Sequence, residues 1–225
     1  MTSADLIRLW PAAGLRARAG DLELRWMDDD LLVEVAALAA RGVHGDDPMP
    51  FYVPWTRGTP EEVARSVTTY HWSVRPKVGP AHLTLDLAVL VDGVPVGTQG
   101  AGGADWAVLR RAETGSWLGR GFQGRGIGTR MRALMLALLF EGLDARAVTS
   151  SAFADNPASN AVSRKLGYLD NGVSAVARDG APVEQRRYLM TRERWEQVRP
   201  DHLALLGGPV VLEGVAAVRA QIEKG

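Results

Sequence analysis

The residues best suited to chemistry lie at positions 117–128, which read Trp-Leu-Gly-Arg-Gly-Phe-Gln-Gly-Arg-Gly-Ile-Gly. Five glycines fall in the ten residues 119–128. A tight strand-to-helix turn alone would use two at most. Several glycines let successive backbone N–H groups face one concavity, and a helix N-terminus adds about half a positive charge there. Arg120, Arg125 and Arg130 bring full charges nearby. The chemistry this favours is the holding of a pyrophosphate. Residues 119–124 also spell Gly-x-Gly-x-x-Gly, which leaves a dinucleotide-dependent oxidoreductase as an alternative. That alternative needs a carboxylate just past the next strand. Glu141 and Asp144 precede that strand, and Asp155 lies too far on. A nucleoside-triphosphate loop needs a lysine after its glycines, and none follows.

Other chemistries lack their residues. The chain has no cysteine, which excludes disulfides, cysteine-ligated metals and any acyl-cysteine intermediate. His44, His71, His82 and His202 are scattered without ligand spacing, so no metal site is expected. Ser116 has Thr114 and Leu118 where a nucleophile elbow needs glycines. Lys plus Arg (26) equals Asp plus Glu (26), a balance that weighs against a nucleic-acid partner. No apolar run reaches the ~18 residues of a membrane span. Arg8, Pro11 and Arg16 interrupt the stretch that a signal-peptide core would occupy. The expectation is a soluble cytoplasmic protein.

The elements that must position the turn follow from period and punctuation. A loosely structured lead-in (residues 1–20) precedes a domain at 21–197 and a C-terminal extension at 198–225. A strand at 22–26 leads to a helix opened by Asp28, Asp29 or Asp30 and ended by Gly42. Residues 43–58 carry Pro48, Pro50 and Pro54 among Met49, Phe51, Tyr52 and Trp55. This apolar, broken loop is either a cleft wall or packing against the body. Thr59-Pro60-Glu61-Glu62 has the form of a capping box. Alternation at Leu83, Leu85, Leu87, Val89 and Val91, then Asp92-Gly93, predicts a hairpin returning over 94–100. Strands at 113–118 and 147–153 flank a helix carrying Ile127, Met131, Leu134 and Leu138. Asn156, Pro157 and Gly167 punctuate the next helix. Strands at 173–177 and 183–190 meet at Asp179-Gly180, and 210–222 could form a last short helix. The order β-α-α-β-β-β-α-β-α-β-β implies an α+β fold. Its mixed, mostly antiparallel sheet has one parallel pair, with helices on both faces.

Residues 123–128, Gln-Gly-Arg-Gly-Ile-Gly, resemble the acyl-coenzyme-A signature of the GNAT N-acetyltransferases. Residues 156–168, Asn-Pro-Ala-Ser-Asn-Ala-Val-Ser-Arg-Lys-Leu-Gly-Tyr, resemble that family's second signature. The Glu-Thr-Gly-Ser-Trp-Leu strand at 113–118 and Asn156-x-x-Ser159 are closest to the branch acetylating ribosomal-protein N-termini. The resemblance covers about residues 22–195.

It implies an acetyl-CoA-dependent N-acetyltransferase acting on a primary amine without a metal, the cofactor lying where strand 113–118 splays from its parallel neighbour. Trp117 and Leu118 would offer backbone groups to the pantetheine. Gln123, Gly124, Arg125, Gly126, Ile127, Gly128 and Thr129 would wrap the pyrophosphate, and Asn156 and Asn160 would reach the cofactor from the neighbouring helix. Glu113 stands where many members carry a base. Many members place a tyrosine acid where this chain has Ser163, and Ser159 is an equal candidate for that role. Trp55, His71 and Trp72 would line the acceptor pocket. Partners are then an acyl-CoA and an amine, with a homodimer left open. A catalytically silent acyl-CoA sensor of the same fold is the alternative.

Overall fold

The computed structural model describes residues 3–45 and 48–223. The first half holds α1 (Ser3–Leu9), β1 (Arg16–Ala19), β2 (Leu22–Arg25), α2 (Asp29–Ala40) and α3 (Pro60–Val74). β3 (His82–Val91), β4 (Val94–Ala104), α4 (Trp106–Leu109) and β5 (Arg111–Leu118) follow. Then come α5 (Ile127–Ala137), β6 (Ala147–Phe153), α6 (Pro157–Lys165), β7 (Leu169–Arg178) and β8 (Ala181–Thr191). α7 (Arg192–Leu206), β9 (Val211–Glu213) and α8 (Val215–Glu223) close the order.

Local chemistry opens and closes these elements as the sequence predicts. The Asp28 carboxylate accepts the Leu31 N–H at 2.9 Å and caps α2. Thr59 and Glu62 form a reciprocal capping box at α3, with Pro60 in the first turn. Asp92 and Gly93 both have positive φ, +50° and +79°, the pairing a two-residue hairpin between right-twisted strands requires. Gly167 ends α6 at φ +75°.

Nine strands form one sheet in the order β7-β8-β6-β5-β4-β3-β2-β1-β9 among the described residues. Every neighbouring pair is antiparallel except β5–β6, which α5 connects. The fold is α+β. α2 and α3 cover one face, packing Leu31, Val35, Val63 and Val67 on Ala88 and Leu90. α5 covers the other with Met131, Leu134 and Met135, and Phe140 beyond its end stacks on Trp195 of α7 at 5.3 Å.

The chain ends differ from expectation. Residues 1–20 are expected as a loose lead-in, yet α1 and β1 lie there, and β1 pairs with both β2 and β9. Its sequence Arg-Ala-Arg-Ala alternates, but alanine is too small to announce an apolar face. Ala17 and Ala19 are nonetheless fully buried. The helix expected over 210–222 is split at Gly214, whose φ is +74° and whose Cβ would stand 2.5 Å from the Gly14 carbonyl oxygen. β9 precedes that break and α8 follows it. α4 and α7 have no counterpart in the expected order.

Close backbone contacts at both ends set how β4 reaches β5, Gly103 on the Arg111 carbonyl and Gly97 on the Trp117 carbonyl. A Cβ on Gly97 would lie 2.1 Å from the Trp117 carbonyl oxygen, beside a register shift at Val89/Leu90. Gly97→Ala must therefore push the two strands apart. Its expected loss of unfolding free energy is roughly 2 kcal/mol or more, measurable by urea denaturation. An unchanged midpoint would show that the close approach is not required.

Candidate active site

The glycines of the turn divide by task. At Gly119 a Cβ would stand 2.6 Å from Leu38 Cδ1, so α2 packs directly on the backbone. Gly124 and Gly126 take φ of +73° and +77°, left-handed values that side chains disfavour. A Cβ on Gly121, Gly124 or Gly126 would meet nothing within 4 Å, so the turn's outer side is open. The N–H groups of Gly124, Arg125 and Gly126 find no protein acceptor among the described residues. The first N–H groups of α5, from Ile127 and Gly128, lack intrahelical acceptors by geometry. Gln123 ties the turn down instead of facing out: its Nε2 donates to Val43 O at 2.6 Å and Leu118 O at 2.8 Å. Thr129 and Ile127 are buried under the turn. Arg120 and Arg125 are exposed and unpaired among the described residues. Arg130 is taken by Asp21, whose carboxyl its hydrogen bond holds below the usual range. A diphosphate fits this cradle of free N–H groups and two free guanidinium groups.

The parallel pair beside the turn comes apart. β5 pairs with β6 only through residues 111–114, ending at Thr114 opposite Ser150. Beyond that, residues 115–118 pair with β4 and residues 151–153 with β8, leaving a wedge between them. Alternation along β5 puts Glu113, Gly115 and Trp117 on the face toward α2 and α3. There a cavity of about 280 Å³ is lined by Glu113, Tyr52, Thr149, Ser151, Gln185 and Arg187, among others. The Ser151 hydroxyl donates to Glu113 Oε1. Tyr52 packs on Phe153 at 5.1 Å, and burial raises its hydroxyl pKa against the opposing effect of the nearby Ser151 hydroxyl, with the Glu113 charge adding. Gly100, Gly102 and Gly115 share this face of the sheet and give it a floor without side chains. Trp117 meets Trp55 at 5.7 Å and Trp55 meets Phe51 at 5.0 Å, an aromatic wall from the proline-broken loop.

Four expected site residues lie elsewhere. Asn160 is buried and its amide is used inside the protein. It donates to Phe153 O at 2.9 Å and Asn156 O at 2.7 Å, and accepts the Tyr188 hydroxyl at 2.7 Å. Ser163 is 0% exposed and its hydroxyl has no partner among the described residues. The His71 ring is buried under α3, and burial lowers its pKa to about 4. Trp72 is exposed on the same helix, donating to Asp29 at 3.4 Å. The apolar stripe of Val63, Val67 and Val74 faces the sheet, and helical spacing carries His71 inward with it and Trp72 outward. Asn156 accepts the Ser159 N–H at 3.1 Å as a cap, and Ser159 stays partly exposed in that first turn. No group of three metal-binding side chains occurs among the described residues.

Residues 21–169 match the family described as an acetyltransferase (GNAT) domain. The chain belongs to the GNAT acetyltransferase family. It is 33% identical over 94 residues to the Bacillus subtilis protein named "Putative ribosomal N-acetyltransferase YdaF". That match spans 40% of this chain and half the length of the relative. Among solved structures, Mycobacterium smegmatis RimJ in complex with CoA-disulfide superposes with a TM-score of 0.67. It is 20% identical and covers 87% of this chain and 93% of its own. RimL, a ribosomal L7/L12 alpha-N-protein acetyltransferase in complex with coenzyme A, gives 0.60 at 21% identity, covering 78% and 97%. These likenesses establish the GNAT fold.

Sequence reasoning reached Tyr52 only as part of a loop that could wall a cleft, and assigned no site role to Ser151, Gln185 or Arg187 of the cavity. Arg187 had one available signal. It neighbours Arg186 on a strand, so one of the two must face each side.

Two outcomes follow for this GNAT domain. Gly126→Glu forces a side chain into a left-handed position and sets a carboxylate in the cradle. Coenzyme A affinity by calorimetry should fall at least ~100-fold, with the circular dichroism spectrum retained. Unchanged affinity would mean the diphosphate sits elsewhere. The second concerns Asp86, beside His71, whose burial raises its pKa from 3.8 to about 7. Folding takes up a proton across that window, so Asp86 costs stability progressively as pH rises from about 4 to about 7. Asp86→Asn should therefore melt higher than the parent at pH 8, with the difference closing near pH 4. An equal difference at both pH values would remove the effect.

Proposed function

We propose that the chain is an acetyl-CoA-dependent N-acetyltransferase moving an acetyl group directly to a primary amine, of a protein N-terminus or a small molecule. The observation that carries this reading is a juxtaposition. An anion cradle at the start of α5, an open strand wedge and a carboxylate-bearing cavity all border residues 113–128. Acetyl-CoA supplies an activated thioester. The N–H groups at 124–128, with Arg120 and Arg125, hold its pyrophosphate. The backbone edge at Trp117 and Leu118 takes the pantetheine amides. Ser159 is the hydroxyl that can approach the wedge from α6.

Glu113 acts on the amine from the cavity side. An α-amine of pKa ~7.7 costs only about 1 kcal/mol to deprotonate at pH 7, whereas an aliphatic amine near ~10.4 costs roughly 4.6. The base therefore matters far more for aliphatic acceptors. Without a cysteine in the chain, an acyl group cannot rest on a protein thiol. The names of YdaF and RimL favour a protein N-terminus as acceptor and a cytoplasmic setting for the reaction.

Thiol release from acetyl-CoA across a panel of amines tests the activity itself. Glu113→Gln should lower kcat by about 10²-fold or more on aliphatic amines, and less on α-amines. Coenzyme A affinity should stay the same. An unaltered pH–rate profile would remove Glu113 as the base.

A further inference from the structure

Arg132 is a buried cation without an anion. It sits one and a half turns into α5, 5% exposed, on the α5 side of the sheet, and one of its partners, Ser150, also lines the cavity. Its guanidinium bonds only neutral groups: Nε to Gln99 Oε1 at 3.2 Å, Nη1 to Ser150 Oγ at 2.9 Å and Nη2 to Ser116 Oγ at 3.1 Å. No carboxylate pairs with it among the described residues. Arg110, Arg178 and Arg192, which are more exposed, each find an aspartate. Burying a charge unpaired is strongly unfavourable, so the arrangement calls for a reason.

Its position supplies one. Gln99, Ser116 and Ser150 belong to β4, β5 and β6, and Ser150 is the last β6 residue that pairs with β5. The guanidinium thus bridges three strands at the apex of the wedge. Gln99 is itself fixed, its amide donating to Gly100 O at 3.0 Å and Gly115 O at 3.1 Å. Of the two expected proton donors for a leaving thiolate, Ser163 is enclosed and Ser159 stays partly exposed in the first turn of α6.

We propose that Arg132 is a positioning residue for the leaving sulfur, its unpaired charge stabilising the coenzyme A thiolate at the wedge apex. This rests on the acyl-CoA reading above. Transfer forms an N–C bond and breaks the C–S bond. The bonding pair stays on sulfur, and the proton surplus on the amine passes to Glu113. The sulfur then departs as an anion facing a fixed cation, and needs no acid at that moment.

The test reads the thiol itself, by titrating thiolate absorbance of coenzyme A bound to the protein. In the parent, the bound thiol should titrate at least one pH unit below the free one, a tenfold gain in the thiolate-to-thiol ratio. Arg132→Lys should keep most of that shift, and Arg132→Met should return it to the free value. The Met variant should also lose about tenfold in kcat with KM for acetyl-CoA changed less than about threefold. As a check independent of that core substitution, Ser116→Ala with Ser150→Ala frees the guanidinium but keeps its charge, and should reduce the shift. Coenzyme A bound by the parent with an unshifted thiol overturns the proposal alone. So does a folded Met variant that titrates like the parent. A parent that binds no coenzyme A overturns the acyl-CoA reading and the proposal with it.

Discussion

Everything at this site depends on the pairing between β5 and β6 stopping at Thr114 and Ser150. Parallel strands normally continue their ladder, because each unpaired backbone group that is buried costs about as much as a lost hydrogen bond. Here the ladder is broken part-way along both strands, and each is held from its outer side alone. β4 holds β5 through a contact so close that only Gly97 fits opposite the Trp117 carbonyl. β8 holds β6 through residues 185–187. The opened edges present backbone groups to a slot, which is a natural receptor for an extended chain of amides.

The two ends of that slot carry opposite electrostatics. At the mouth lie free N–H groups and two arginines, Arg120 and Arg125, unpaired among the described residues. At the closed end, Glu113 and Arg187 line a polar cavity over a glycine floor, while Arg132 lies beneath the apex on the α5 side of the sheet. A chain of zero formal charge achieves this by placement, not by excess. Arg130 shows the point. It neighbours the cradle in sequence, yet Asp21 holds it elsewhere.

Much of this was legible beforehand because it rests on local chemistry. The capping box at Thr59, the Asp92-Gly93 turn and the Asn156 cap each involve residues within one turn of one another, so a few neighbouring side chains decide them. β1 and β9 were not legible. An Arg-Ala-Arg-Ala strand becomes a strand only because two neighbours hydrogen-bond it from either side. The same limit applied to the site. Gln123 belongs to the signature, yet whether its amide points out to a ligand or back to Val43 depends on a loop 80 residues away.

The sequence alone determined the glycine turn, the strand before it, the helix after it and the absence of any protein thiol. Those give the segment left-handed backbone and free N–H groups suited to an anion, because both are intrinsic to that short stretch. Only the tertiary structure decided which residues share the wedge. It enclosed Ser163, spent Asn160 on Tyr188, turned His71 into a neutral core residue, and gathered Tyr52, Ser151 and Arg187 around Glu113. The reason is physical. Backbone conformation follows from near neighbours, whereas the direction of a side chain, its burial and its charge state are set by elements that meet only when the sheet is assembled.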